Sequence, residues 1–171
     1  MSVLRHLIVL LLLISVNTEA QFYFGRNKVQ YHTIDWKILK TQHFDIYYHS
    51  GNREVALRGA EFAEQGYEYL SREFLYTPKR RIPIIFYNTA QLFRQTNTTP
   101  GLIPDAVGGF YEFMKGRVAI PYTGSLSDFR HVIHHELTHV FMVGKVSAIN
   151  SHHRFFDGVM PPLWIVEGLA E

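Results

Sequence analysis

The 171-residue chain has no cysteine, which removes disulfides, thiolate metal ligands and a cysteine nucleophile together. It has little excess charge of either sign: the formal net charge is +2 and the basic residues are scattered. Their one cluster, Lys79-Arg80-Arg81, lies between an expected helix and an expected strand. With no aromatic platform and no second basic stripe it reads as a solvated turn, and no nucleic-acid partner is expected. Long apolar runs are missing too. The longest unbroken one, Leu7 to Ile14, falls well short of the about 20 residues that a membrane span requires.

That short run has a different explanation. Arg5 precedes it, and small or polar residues follow it as far as Thr18-Glu19-Ala20. This is the order of a secretory signal peptide, with cleavage expected after Ala20. No cysteine follows the run, so a lipid anchor is not expected. Residues 1–20 are therefore assigned to a signal peptide. Residues 21–171 form one exported domain, periplasmic or secreted, with no stable membrane span after cleavage. A mature chain of about 150 residues suits a single core.

Hydrophobic periodicity along the mature chain predicts an α+β fold. Trp36 and Ile38, then Phe44, Ile46 and Tyr48, alternate with polar neighbours, which predicts two strands broken near Lys40-Thr41-Gln42 and stopped by Ser50-Gly51-Asn52. Glu54 to Tyr76 has an apolar side (Val55, Leu57, Phe62, Ala63, Tyr67, Leu70, Phe74, Leu75) and a wet side with Glu61, Glu64, Glu68 and Arg72; this predicts a long amphipathic helix ended by Thr77-Pro78. Arg81 to Tyr87 predicts a buried strand, and Asn88-Thr89 a cap for a helix to Arg94. Gln95 to Pro104 reads as a loop. Phe110 to Phe113 and Arg117 to Pro121 predict a hairpin turned at Lys115-Gly116. A helix from Asp128 to Lys145 should bury Ile133, Leu137, Val140, Phe141 and Val143. Ser147 to Gly158 reads as a polar loop, and Pro161-Pro162 precede a further helix from Leu163.

The chemistry lies in His135-Glu136-Leu137-Thr138-His139. Residues four apart on a helix share a face with Cβ atoms about 5–6 Å apart, so His135 and His139 can hold one zinc ion. Glu136 can then reach a metal-bound water. A catalytic zinc usually takes three protein ligands and leaves one position open. The candidate third ligand is Glu167, on the next helix. Glu171, one turn later, is placed to accept a hydrogen bond from a ligand imidazole. His131 extends the four-residue row, but a fourth protein ligand would close the site. His134 points about 100° away from His135. Tyr111 and Tyr122 are both open as oxyanion donors.

These residues resemble a known family. His135-Glu136-Leu137-Thr138-His139, followed by Pro162-Leu163-Trp164-Ile165-Val166-Glu167-Gly168-Leu169-Ala170-Glu171, is similar to the paired motifs of the gluzincin metallopeptidases. The peptidase MA-like group in particular has a second signature resembling W-x-x-E-G-x-A-E. Asp35-Trp36-Lys37 and Thr41-Gln42-His43-Phe44-Asp45-Ile46-Tyr47-Tyr48 also resemble the opening strands of that group. The resemblance implies a zincin-like domain with a small mixed sheet, an active-site helix and a truncated glutamate-bearing helix. It implies His135, His139 and Glu167 as zinc ligands, Glu136 as general base and Glu171 as hydrogen-bond partner of a ligand. It further implies Phe110, Tyr111, Glu112 and Phe113 as a substrate-aligning strand, with an ordinary hairpin as the equal alternative.

The implied reaction is zinc-dependent hydrolysis of a peptide or protein substrate, with Glu136 activating a zinc-bound water. The alternative is a non-catalytic, metal-stabilised binding or scaffold module of a larger cell-envelope protein. Larger relatives of this type continue into a TolB-like β-propeller, so the resemblance marks this chain as the amino-terminal part of such a protein.

Overall fold

The structure is a computed structural model that describes residues 28, 33–99, 101–152 and 160–171. The signal-peptide assignment to residues 1–20 lies outside the described residues, as does the second half of the expected 147–158 loop. The described residues form a mixed α+β fold with five strands and four helices. In chain order these are β1 (Trp36–Lys40), β2 (Phe44–His49), α1 (Arg53–Glu73), β3 (Ile82–Tyr87) and α2 (Ala90–Arg94). β4 (Phe110–Glu112), β5 (Arg117–Pro121), α3 (Leu126–His152) and α4 (Leu163–Ala170) follow. No helix among the described residues is long and apolar enough to cross a membrane.

The strands make one sheet in the order β1-β2-β3-β5-β4. β1 runs antiparallel to β2, β2 and β3 are parallel, β3 and β5 are parallel, and β4 returns antiparallel to β5. Each parallel step needs a crossover long enough for a helix. Strand alternation then sorts the side chains by face. Phe44, Ile46, Ile84, Phe86, Val118 and Ile120 are buried in the main core with residues of α1 and α3. Residues of the opposite parity, Tyr87 and Ala119, join Phe93 of α2 and Ile103 in a second, smaller core.

α1 approaches closely because its buried side is made of small residues: Ala56, Gly59, Ala60, Ala63 and Gly66. A Cβ at Gly59 would lie 2.9 Å from Phe129 Cε1 and nearer still to the Phe86 ring. This stripe corrects the expected apolar side, since Leu57 and Leu75 are exposed. Glu64, expected on the wet side, is half-buried and paired with His43 Nδ1 at 2.6 Å. The helix also ends three residues before Tyr76. Leu75 adopts a left-handed φ of 46°, with Leu75 N–H donating to Arg72 O and Tyr76 N–H to Ser71 O. Those two bonds are the Schellman closure, normally given to glycine.

α3 starts where Ser125 Oγ accepts the Asp128 N–H at 3.2 Å. It runs seven residues past the expected Lys145. Val146-Ser147-Ala148-Ile149 contains neither proline nor a terminating glycine, so nothing local stops the helix there. Phe129, Ile133, Leu137, Val140 and Phe141 are buried as its core face. Phe141 sits among Tyr67, Phe74 and Tyr76, with ring centroids 5.2, 6.2 and 6.2 Å away. Val143, expected with them, lines a cleft instead.

Candidate metal centre

α3 carries the centre on the face that rotates from the core toward α4. Leu137 pins that stretch: it is fully buried, and its Cδ1 lies 3.3 Å from the Cβ position of Gly66 on α1. With Leu137 inward, His135 and His139 project one turn apart on the neighbouring face. Their Nε2 atoms converge to 3.1 Å. α4 is set by the chain turning at Pro162, whose carbonyl accepts the Ile165 N–H at 2.9 Å. It packs on α3 and brings Glu167 Oε2 to 3.6 Å from His135 Nε2 and 3.8 Å from His139 Nε2.

The structure thus brings together the three expected ligands, His135, His139 and Glu167, as a group able to hold a metal ion. Their donor atoms are separated by 3.1, 3.6 and 3.8 Å. Tetrahedral ligands at zinc bond lengths stand about 3.3 Å apart, so the spacing fits such an ion. The chemistry of the donor set agrees. Two imidazole nitrogens and a carboxylate oxygen aimed at one point repel one another unless a proton or cation lies between them. Burial, and next the neighbouring His135, lower the His139 pKa, with the Glu167 charge opposing. A neutral His139 is the form that ligates a metal.

Glu136 projects from α3 beside this group and is only 5% exposed. Burial, and then the Glu167 charge, push its carboxyl up to about 8, against a hydrogen bond from the Tyr111 N–H. β4 can come this close because residue 109 is glycine. A Cβ there would lie 2.9 Å from Val132 Cγ1 and 3.2 Å from Glu136 Oε1. Thr138 is buried as well, and its hydroxyl donates to His134 O at 2.9 Å. That bond satisfies the hydroxyl inside its own helix.

A cleft of about 540 Å³ opens in front of the group, lined by α3, α4 and the β4 segment. Of the candidate substrate strand, Phe110, Tyr111 and Phe113 line it. Phe113 lies in the turn after β4 rather than in the strand. Glu112 is engaged elsewhere, accepting from Arg117 Nε at 2.8 Å. Tyr122 donates its hydroxyl to Gly124 O and does not line the cleft; Tyr111 does. Glu171 is exposed at the end of α4, where its N–H donates to Glu167 O. No hydrogen bond joins its carboxylate to either imidazole among the described residues. His131 is exposed, its ring 6.3 Å from that of His135. His134 packs against Tyr69 at 5.4 Å.

Sequence reasoning missed Met142, Val143, Met160 and Val166 as cleft residues. One signal was available: Val143 and Ser147 continue the four-residue row through His135 and His139. No protein-family model, curated protein or solved structure matches this chain.

Proposed function

We propose that this protein is a metal-dependent hydrolase in which His135, His139 and Glu167 hold zinc and Glu136 moves the proton. More particularly, we infer a peptidase of the gluzincin type, similar to the peptidase MA-like group, acting on peptide or protein substrates outside the cytoplasm. The observation that carries the reading is the meeting of His135, His139 and Glu167 with Glu136 buried beside them and facing the same cleft. A site that only held a metal would have no use for that fourth group.

When bound, zinc supplies Lewis acidity, bringing the pKa of a water toward about 7 and polarising a carbonyl. The chain's own residues do the rest. His135 and His139 hold their rings on a helix anchored by Leu137, so the ligands are set before substrate arrives. Glu136 accepts a proton on its carboxylate and later releases it to the leaving amine. Its burial excludes competing solvent from that exchange. The Tyr111 N–H holds the carboxylate in place. β4 is an edge strand and can align an extended peptide beside the cleft through main-chain bonds.

The test measures zinc content and peptide-library cleavage for the wild type and Glu136→Gln. Equal zinc with cleavage only by the wild type is the expected result. Zinc in both with cleavage by neither would favour the non-catalytic module, and no zinc in either would sink both readings.

A further inference from the structure

α2 and Ile103 cover part of the sheet face turned away from α1 and α3, packing on Tyr87 and Ala119. Beyond that cover the same face carries a groove of about 650 Å³, a size usual for small-ligand sites. Pro83 and Ile85 of β3 lie along its middle, with Trp36 of β1 and Tyr47 of β2 on one side. On the other stand Arg117 of β5 and Lys115 of the turn before it. Thr96, Asn97 and Thr98, in the loop after α2, complete the rim. The metal centre, carried by α3, belongs to the opposite face.

Both walls are set in advance. Trp36 is held edge-on against His49 and Tyr87, with ring centroids 4.9 and 5.5 Å away, yet it stays exposed. Tyr87 donates its hydroxyl to Thr96 Oγ1 at 2.8 Å, and Thr96 Oγ1 meets Thr98 Oγ1 at 2.9 Å. Lys28 braces the loop further: its N–H donates to Asn97 Oδ1 at 2.7 Å and its ammonium to Thr96 O at 3.0 Å. A braced loop loses little more freedom when a ligand binds. The charge is one-sided. Among the described residues no carboxylate lines the groove. Lys115 has no hydrogen-bond or ion-pair partner among them, and Arg117 gives only its Nε to Glu112.

We propose that this groove is a second binding site, for an acidic saccharide built of uronic acid units. A ring such as Trp36 covers the C–H face of a pyranose and removes apolar area of both from water. The Asn97 amide makes one bond from each end, both to the Lys28 backbone, so it keeps a donor and a lone pair for sugar hydroxyls. The uronate carboxylate pairs with Lys115 and the free end of Arg117. A flat aromatic acid would use the rings and the cations but leave the amide and hydroxyls unanswered. A neutral sugar would leave the cations unanswered.

The test titrates the intact protein calorimetrically with tetragalacturonate, tetramannuronate and the neutral methyl ester of each. At least one tetrauronate should saturate the site and bind about five-fold or more tighter than its ester at low salt. That margin should shrink as salt is raised. Trp36→Ala should weaken acid and ester alike by about ten-fold. Lys115→Glu, on an exposed turn, should remove the acid's margin and leave the ester unchanged. A cooperative thermal melt certifies the fold of each variant. No saturation by either tetrauronate at millimolar concentration, equal binding of acid and ester, or wild-type affinities in both variants overturns the proposal. Tighter binding of phenylacetate than of any saccharide would assign the groove to flat aromatic acids and overturn it as well.

Discussion

Glu136→Gln should stabilise the metal-free protein at neutral pH. The substitution keeps the shape of the side chain and an oxygen for the Tyr111 N–H, and removes the ionisation. In the unfolded chain the carboxyl titrates at the ordinary 4.5, whereas the fold raises it to about 8. A raised carboxyl contributes most below 4.5 and loses that contribution as pH climbs to about 8. At pH 7 about 2.5 pH units of that interval have been crossed, a cost of about 3 kcal/mol at 1.36 kcal/mol per unit. At pH 5 the same reasoning leaves under about 1 kcal/mol. The assays are urea unfolding and thermal melting of chelator-treated wild type and variant at pH 5, 6, 7 and 8. The two curves should nearly coincide at pH 5 and separate steadily, with a melting difference at pH 7 of roughly 6–12 °C for a domain of this size. Parallel pH profiles, or a variant less stable than the wild type at pH 7, would refute the argument.

Phe141→Ala removes a fully buried ring from the cluster with Tyr67, Phe74 and Tyr76, and should cost about 3–5 kcal/mol in denaturant unfolding. A loss under about 1 kcal/mol would mean that this cluster is not the anchor of α3. Leu75→Gly relieves the left-handed residue at the end of α1, where the exposed side chain contributes little; a gain of about 0.5–1 kcal/mol is expected, and a loss would contradict the closure described. Burial would raise the Glu64 carboxyl, but hydrogen bonds from Thr41 and His43 and the His43 charge outweigh it and hold the pKa below 4.5. Its contribution is therefore present above pH 4.5 and lost as pH falls through the depressed value. Glu64→Gln should flatten the acid limb of the stability curve, and an unchanged limb would assign acid sensitivity to other carboxylates.

Local order was legible wherever a repeat and a stop coincide. β1 and β2 occur where alternation places them, because successive strand residues face opposite ways whatever the partner. β3 and β5 occur where a short apolar run and a Lys-Gly turn place them. The cap at Thr89 is equally local: its side chain accepts the Leu92 N–H three residues on. The end of α1 was harder, since leucine at a left-handed position defies the usual glycine signal. The buried side of α1 is hidden in the sequence because it is made mostly of alanine and glycine and not of large apolar residues. What draws the helix onto the sheet is the room left by Gly59 and its neighbours for the rings of Phe86 and Phe129. The length of α3 is hidden by the polar composition after Lys145, which resembles a loop although no residue there breaks a helix.

The centre divides in the same way. His135, Glu136 and His139 lie within five residues, so helical geometry alone puts both imidazoles on one face with the carboxylate beside them. Glu167 could be named from the chain, but only the packing of α4 on α3 brings its oxygen within 3.8 Å of both rings. The burial that lifts Glu136 depends on β4, which reaches it because residue 109 has no side chain. The apolar walls of the cleft likewise depend on α3, α4 and the β4 segment meeting at one place. The sequence by itself determined the strand and helix periods, the donor types and their spacing along one helix, since these are set by neighbours in the chain. The sheet order, the third donor's approach, the proton affinity of Glu136 and the shape of the cleft were decided by tertiary structure alone. Each of these arises between segments far apart in the chain, where the local pattern carries no information about distance.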